Sequence, residues 1–538
     1  MTQTNKHKWL VGLGVWNLYF LVKFWLHLNQ WIQIDFAANL ALFCFIAIQL
    51  PTKLLNSFKQ LTALLWAILL LYSESWLPPL SNLTENFYLL SQFSVQYVAD
   101  LFGRFISIEL IYPLIIATVS YIYLSRWIRF TTLSLVGLLS LPAYSLLNSN
   151  TPMVKEQRSE TPQAPQVQAI TKQKIVPVID ADNPQQALDQ FYQIQQSLEP
   201  VVFAPNDKAN FDVLILNICS LSWADLQAAG IDSKSLFKDY DMVFKHYNSA
   251  TSYSGPAALR ILRASCGQVP HNQLFSDSNE KQCYLFENLK KLGYQTSLAM
   301  NHDGHFDNFI GLIKQQGHLE HNPILLKNQP ISQYAFDNTP VYKDINLLSD
   351  WFSQYKGSGQ PQAFYYNTIS LHDGNQIINQ KPLSEVESYA LRVKILFSDI
   401  NTFIRQIEQS GRKTMLIIVP EHGAALKGDK MQFSGLREIP SPNIVSVPVA
   451  VKFIGKSNQQ AEPIYIEQNT SHYALSTLIK GAMESHIFYN DLPLSQLTQT
   501  LPKSTLVAEN EGAILMEFNN TPYIKLSNSD WMIYPGYQ

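Results

Sequence analysis

At 538 residues the chain exceeds what one hydrophobic core needs, so more than one domain is expected. Only 15% of the residues are charged and the formal net charge is -3. That excludes the basic surface a nucleic-acid partner requires. The shortage of charge is concentrated in the first 150 residues, where long apolar runs take its place. Trp9 to Leu28 is the first run, interrupted by Lys23, which must snorkel or face a neighbouring helix. Phe36 to Leu50, Leu61 to Leu77, Ile108 to Leu124 and Leu133 to Leu147 follow, the last interrupted by Pro142. Because further spans follow it, the first run is not a cleavable signal. Residues 1–148 are therefore expected to be a multi-pass helical membrane domain of about five helices.

Lys6 and Lys8 precede the first span, Lys53 and Lys59 lie between the second and third, and Arg126 and Arg129 between the fourth and fifth. The intervening loops are nearly free of basic residues. The positive-inside rule then sets the N-terminus in the cytoplasm and everything after Asn148 outside, which for a bacterial inner membrane is the periplasm. The loop around "NFYLLSQFSVQYV" reads either as an interfacial segment or as a loop packed on a globular domain. Residues 149–208 read as a periplasmic linker rich in Pro, Gln, Ser and Thr, with a short surface helix from Asn183 to Ser197.

From residue 209 the pattern changes. "FDVLILNICSLSW", "AFYYNTISLHDG", "KTMLIIVPEHG" and "VPVAVKFIG" each hold a continuous apolar run of strand length, and Gln295 to Met300 is a further strand. Helical patterns lie between them, among them "ALRILRASC", "CYLFENLKKLG" and a long one ending at Gly411. Residues 209–538 are expected to form an α/β sandwich with helices on both faces and ligands at the carboxyl ends of the strands.

Those strand ends carry the chemistry. Cys219 follows the first strand, His372 and Asp373 another, Glu421 and His422 a third. Thiolate, carboxylate and imidazole are zinc donors, so Cys219, Glu421 and His422 form a candidate site. Ser254, in "TSYSGPAALRILRASCG", reads alone as a helix cap or as a nucleophile. Bound to zinc its hydroxyl would lose its proton easily, and a helix start supplies free N–H groups for a phosphate, so it completes the set. Of the four cysteines, Cys44 lies in a span; Cys266 and Cys283 flank a polar loop, where an oxidising compartment permits a bridge, leaving Cys219 unpaired. His302 is expected on a substrate-facing loop. His305 could join it on a second ion, and His472 reads as a first-turn helix residue or a phosphate contact. Arg437, near "SGLREIP", is a candidate contact for phosphate or glucan.

The stretches "LILNICSLSW", "NSATSYSGPAA", "RASCGQ", "YNTISLHDGN", "VPEHGAALKGD" and "SGLREIPSP" together resemble bacterial cellulose phosphoethanolamine transferases, membrane enzymes of the alkaline phosphatase superfamily. The resemblance implies transfer of phosphoethanolamine from phosphatidylethanolamine to the C6 hydroxyl of glucose units in secreted cellulose. It implies Ser254 as nucleophile, Cys219, Glu421 and His422 as Zn2+ ligands with the Ser254 oxygen close to the metal, and a Cys266–Cys283 disulfide. It places Tyr253 and His372 at the donor and acceptor site, and suggests association with the cellulose synthase complex. Position and chemistry make His372 an acid for the first step and a base for the second, with Asp373 orienting it or meeting substrate. Lipid A phosphoethanolamine transferases usually carry Glu, Thr and Asp-His where this chain has Cys219, Ser254 and Glu421-His422, which speaks against lipid A as acceptor. A phosphodiesterase or sulfatase of the same fold remains an alternative, and a second metal site would favour it.

Overall fold

The computed structural model describes residues 13–29, 32–75, 93–95, 97–98, 108–148, 181–204, 211–276, 280–381, 383–457, 460–490, 492–527 and 529–535. The chain forms two compact units, residues 1–84 with 102–175 and residues 85–101 with 176–538. Most of the expected linker, and residues 9–12 of the first expected span, lie outside the described residues.

In the first unit every expected span overlaps a helix: Trp16–Leu28, Phe36–Ala47, Lys53–Glu74, Ile108–Leu124 and Phe130–Asn148. Among the described residues one helix, Lys53–Glu74, is long and apolar enough to cross a membrane by itself. It starts eight residues before the expected span, so Lys53 and Lys59 belong to the helix and not to a loop. Lys59 fits there because its Nζ donates to the carbonyls of Ile46 and Ile48, at the C-terminal end of the preceding helix, where the dipole favours a cation. Lys23 faces a neighbouring helix: it is buried, donates to Asn39 Oδ1 at 2.6 Å and pairs with Glu74. Pro142 lies within a continuous helix rather than ending it.

The second unit is built on a seven-stranded mixed sheet. Its strands are β1 (Asp212–Ile218), β2 (Met242–Asn248), β3 (Gln295–Met300), β6 (Gln362–Thr368), β8 (Thr414–Pro420), β9 (Ser446–Ile454) and β10 (Ile464–Ile466), in the order β10-β2-β9-β8-β1-β6-β3. β4 (Ile331–Tyr334), β5 (Pro340–Tyr342) and β7 (Gln376–Ile377) make a three-stranded sheet. β11 (Val507–Asn510), β12 (Ala513–Phe518), β13 (Thr521–Leu526) and β14 (Met532–Ile533) make a four-stranded antiparallel one.

β1 shows why the main sheet is double-faced. Its side chains alternate between two cores. Val213 and Ile215 pack with the helices Ser254–Leu262, Leu285–Lys291 and His472–Glu484. Leu214, Leu216 and Ile218 pack on the other face with the helices Asp344–Tyr355 and Glu385–Ser410. Each of these buried aliphatics contributes roughly 1.5–3 kcal/mol. The helix Glu385–Ser410 is delimited by a Ser384–Glu387 capping box and by Gly411 at φ 74°, as its sequence suggests. The α/β sandwich is thus as expected, with one difference: β9 runs antiparallel to both neighbours. A long crossover helix does not join β8 to β9; residues 421–441 form an irregular loop and the one-turn helix Pro442–Val445 leads into β9.

The expected surface helix, Pro184–Ser197, is buried along one side. Ala187, Leu188 and Phe191 pack against Val507 and Met516 of the four-stranded sheet. Cys266 and Cys283 form a disulfide, with Cα atoms 4.9 Å apart.

Candidate metal and nucleophile site

β1 lies between β8 and β6 and runs parallel to both, so the three carboxyl ends lie side by side. Backbone bonds continue past the strands and lock the first loop residues together. Cys219 N–H donates to Thr368 O, Glu421 N–H to Ile218 O and Leu221 N–H to His422 O, at 2.9, 2.9 and 2.7 Å. Ser220 (φ 69°) and Ala250 (φ 63°) take the left-handed conformation that costs a non-glycine residue energy, just after Cys219 and just before Ser254. Such turns re-aim side chains at strand ends.

Cys219, Glu421 and His422 are all buried, and one donor atom from each lies within 4.8 Å of the others. Ser254 Oγ stands 3.4 Å from Cys219 Sγ and 3.4 Å from His422 Nε2. His422 Nδ1–H donates to Gly423 O at 2.8 Å, so the Nε2 lone pair faces the cluster. Glu421 Oε1 accepts from Asn367 Nδ2 at 2.6 Å, while Oε2 is buried with no hydrogen-bond partner among the described residues. Burial pushes the Cys219 thiol up to about 12, with the Glu421 charge adding to the effect. Burial also raises the Glu421 carboxyl, and burial with the Arg437 charge holds His422 well below the ordinary imidazole range. Two buried acids with raised pKa and one orphan oxygen are what a missing positive charge leaves behind. The donor set suits a divalent cation, and Cys, His and carboxylate together suit zinc.

Ser254 is not the cap of its helix. Tyr253 holds the N-cap position, and Ser254 is the first helical residue, with its hydroxyl turned to the cluster. The loop after His422 is held by Asp225, whose carboxylate accepts from Ala424 N and Leu426 N at 2.7 and 3.0 Å. Glycine is required at 423 for space: a Cβ there would lie 2.7 Å from both Asp225 Oδ2 and Ser222 Oγ.

Arg437 joins the site, donating to Ser220 Oγ at 3.2 Å, with Nη1 3.3 Å from His422 Nδ1 and Nη2 3.4 Å from His372 Nε2. His372 stacks on Phe336 and donates Nδ1–H to the Asp373 main-chain carbonyl at 2.7 Å, leaving Nε2 as a proton acceptor. Burial and the facing guanidinium push its pKa down to about 3, so the ring is neutral. Asp373 is buried; its carboxylate accepts from Tyr97 OH at 3.1 Å and its main-chain carbonyl accepts from His372 Nδ1–H. Tyr97 and Phe93, from the segment expected at an interface or on a globular domain, pack on Phe336 within this second unit.

His302, expected on a substrate-facing loop, is buried with both ring nitrogens engaged: Nε2 with Asn367 Oδ1 at 2.8 Å and Nδ1 with Gly304 N–H at 3.2 Å. His305 is exposed beside Asp303. His472 is buried in the first turn of its helix, donating Nε2–H to Ser249 O and accepting from Tyr247 OH.

Several functional neighbours escape a reading of the sequence. Asn510 bonds Ser252 Oγ, Arg437 O and Glu438 O through its Nδ2, and Thr251 Oγ1 and Ser252 N through its Oδ1. It thereby clamps together the segments that carry Tyr253-Ser254, Arg437-Glu438 and Glu511. Tyr253 is raised well above the phenol range by burial, by a hydrogen bond and charge from Glu438, and by the charge of Glu511. Nothing in the sequence signals Asn510, because its strand carries no long apolar run. Asn367 and Asn217 were legible: polar side chains within runs that otherwise read as buried strand.

Residues 168–531 match the family described as "Cellulose biosynthesis protein BcsG C-terminal domain", and residues 16–143 match "Cellulose biosynthesis protein BcsG N-terminal domain". The cellulose biosynthesis protein BcsG of Escherichia coli (strain K12) is 37% identical, over 97% of this chain and 96% of that protein. Its counterpart from Salmonella typhimurium is 35% identical over the same shares. Among solved structures, a protein in the alkaline phosphatase superfamily from Vibrio parahaemolyticus is similar at a TM-score of 0.45 and 12% identity, over 62% of this chain and 80% of that one.

Proposed function

The chain belongs to the cellulose biosynthesis protein BcsG family, and on that premise we propose that it is a zinc-dependent transferase carrying phosphoethanolamine from phosphatidylethanolamine to the C6 hydroxyl of glucose units in cellulose. The observation that carries this reading is Ser254 Oγ at 3.4 Å from two members of a buried Cys219–Glu421–His422 donor set. Bound zinc supplies a Lewis acid that lowers the proton affinity of the serine hydroxyl and takes up charge on a phosphoryl oxygen.

The chain's own residues do the rest. Ser254 Oγ bonds to phosphorus as the bond to the diacylglycerol oxygen breaks; the serine proton is released and the diacylglycerol oxygen gains one. The group now rides on Ser254. The glucose C6 oxygen then bonds to phosphorus as the bond to Ser254 Oγ breaks; His372 Nε2 accepts the sugar's proton and passes it on to Ser254 Oγ, so that both residues end as they began. Arg437 and the free N–H groups at the start of the helix Ser254–Leu262 favour the phosphoryl oxygens. The field across the nucleophile is split: cationic at Arg437, anionic at Glu438 and Glu511 beside Tyr253. A zwitterion with a phosphate at one end and an ammonium at the other matches that polarity.

Five apolar helices and the alternation of basic residues support an inner-membrane protein, multi-pass, with the N-terminus cytoplasmic, residues 209–538 in the periplasm as an alkaline-phosphatase-like domain, and the cellulose synthase complex as partner. The hydrolase alternative gains nothing from a second metal cluster among the described residues, since the other donor group, Cys266, Glu280 and Cys283, has both thiols in the disulfide.

The test uses the full chain in phosphatidylethanolamine vesicles without glucan. A phosphoethanolamine adduct should be found on Ser254 by mass spectrometry and should move to a cello-oligosaccharide when one is added. An adduct on another residue sinks the nucleophile; an adduct that clears equally fast in water alone makes the enzyme a hydrolase.

A further inference from the structure

The buried face behind the donor set carries a directional chain of hydrogen bonds. Gly304 N–H donates to His302 Nδ1 at 3.2 Å, which leaves the proton of the neutral ring on Nε2. That Nε2–H donates to Asn367 Oδ1 at 2.8 Å. The amide is thereby fixed with its NH2 turned the other way, where Nδ2 donates to Glu421 Oε1 at 2.6 Å and to Asn217 Oδ1 at 2.8 Å. Asn217 is held in turn by Tyr365 OH at 2.6 Å and donates to Val419 O at 2.9 Å. Every side chain in this chain is buried, so water does not compete for the bonds. The result is asymmetric. One carboxylate oxygen of Glu421 is satisfied from behind and the other, Oε2, is left without a partner, 3.8 Å from His422 Nε2.

We propose that His302 and Asn367 are positioning residues: His302 sets the amide orientation of Asn367, and Asn367 holds Glu421 Oε1 so that Oε2 alone is presented to the metal. The proposal rests on reading Cys219, Glu421 and His422 as a metal site. It gives His302 a role without a substrate contact or a second ion, and it accounts for an asparagine inside a strand buried on both faces. An unheld carboxylate can rotate or ligate through either oxygen; a held one offers a single oxygen in a single direction.

The experiment measures zinc affinity of the full-length protein by competition with a chelating dye, with zinc stoichiometry and transfer kinetics alongside. Asn367→Leu should weaken zinc binding by about 10–100-fold, and His302→Leu should weaken it by less. His302→Gln, which keeps a donor toward Asn367 Oδ1, should restore most of the loss. At saturating zinc, both Leu variants should lose kcat with KM for the lipid unchanged. Tyr365→Phe removes a bond at the far end of the same network and should leave zinc affinity unchanged while lowering stability. Wild-type zinc affinity in both Asn367→Leu and His302→Leu would overturn the proposal. So would a Tyr365→Phe loss as large as theirs, because the effect would then be a general softening of the core. If Asn367→Leu fails to fold, the His302 pair decides. A wild-type protein that binds no zinc would instead remove the metal reading itself.

Discussion

Ser254 begins its helix without capping it, and that separates its two sequence readings. A capping serine replaced by alanine would cost about 0.5–2 kcal/mol. Here the cap position is Tyr253, so Ser254→Ala should leave the thermal midpoint within about 2 °C of wild type. Transfer should still fall by about 10³-fold or more, since Ser254 Oγ is the hydroxyl that meets both Cys219 Sγ and His422 Nε2. Differential scanning calorimetry beside an activity assay checks both halves. His472 makes a second residue-scale prediction. Its ring is satisfied only when neutral, one nitrogen donating to Ser249 O and the other accepting from Tyr247 OH, and burial aided by the Arg260 charge holds its pKa at about 4. The unfolded chain binds that proton at about 6.5 and the folded one does not. Stability is therefore lost as pH falls from about 6.5 to about 4, by on the order of 3 kcal/mol from this residue. His472→Gln, which keeps a donor and an acceptor, should flatten that acid limb in urea melts at pH 7, 5.5 and 4.

At the scale of elements, the loop after β8 does work that a crossover helix could not. It carries Glu421 and His422, is tied down by Asp225, and returns Arg437 to the cluster before β9 begins. Its tightest point is Gly423, whose N–H bonds Ile444 O at 2.7 Å while its Cα faces Asp225 and Ser222. Gly423→Ala should force those side chains apart, destabilise the domain by roughly 1–3 kcal/mol and weaken zinc binding together with it. Chemical denaturation and a metal titration on the same preparation test this; a variant with full stability and full zinc would show the contact to be slack. The sequence marks this loop by its Glu-His-Gly triplet, yet the reason for the glycine is a contact with residues about two hundred positions away.

For the whole molecule, the proposed topology puts the two units in different environments. Ser527 lies exposed on the second unit and Lys53 exposed on the first. In a Cys44→Ser background, Ser527→Cys should react with a membrane-impermeant maleimide in intact spheroplasts, and Lys53→Cys only after lysis. The reverse pattern would place the nucleophile in the cytoplasm and remove the route from emerging glucan to Ser254. The Cys266–Cys283 bridge agrees with an oxidising location for the second unit, as does the burial of Cys219 away from exchange partners.

Much of this protein was determined by the sequence alone, for a physical reason. A strand buried on both faces must be apolar throughout, so the first polar residue marks its end, and parallel strands bring their ends to one edge. That logic reaches Cys219, His372, Glu421 and His422 without any coordinates. It also finds the apolar helices, since long runs without charge at helical length mark them directly. It stops where a side chain's role depends on what folds against it. That His302 bonds Asn367, that Asp373 bonds Tyr97, and that Lys59 lies at the carbonyl end of a neighbouring helix rather than in a loop were all decided by partners outside the local pattern. The Asn510 clamp is a further case, joining residues up to 259 positions apart. Local pattern encodes burial and period, but hydrogen-bond partnership is a property of the assembled fold, and only the tertiary structure decided it.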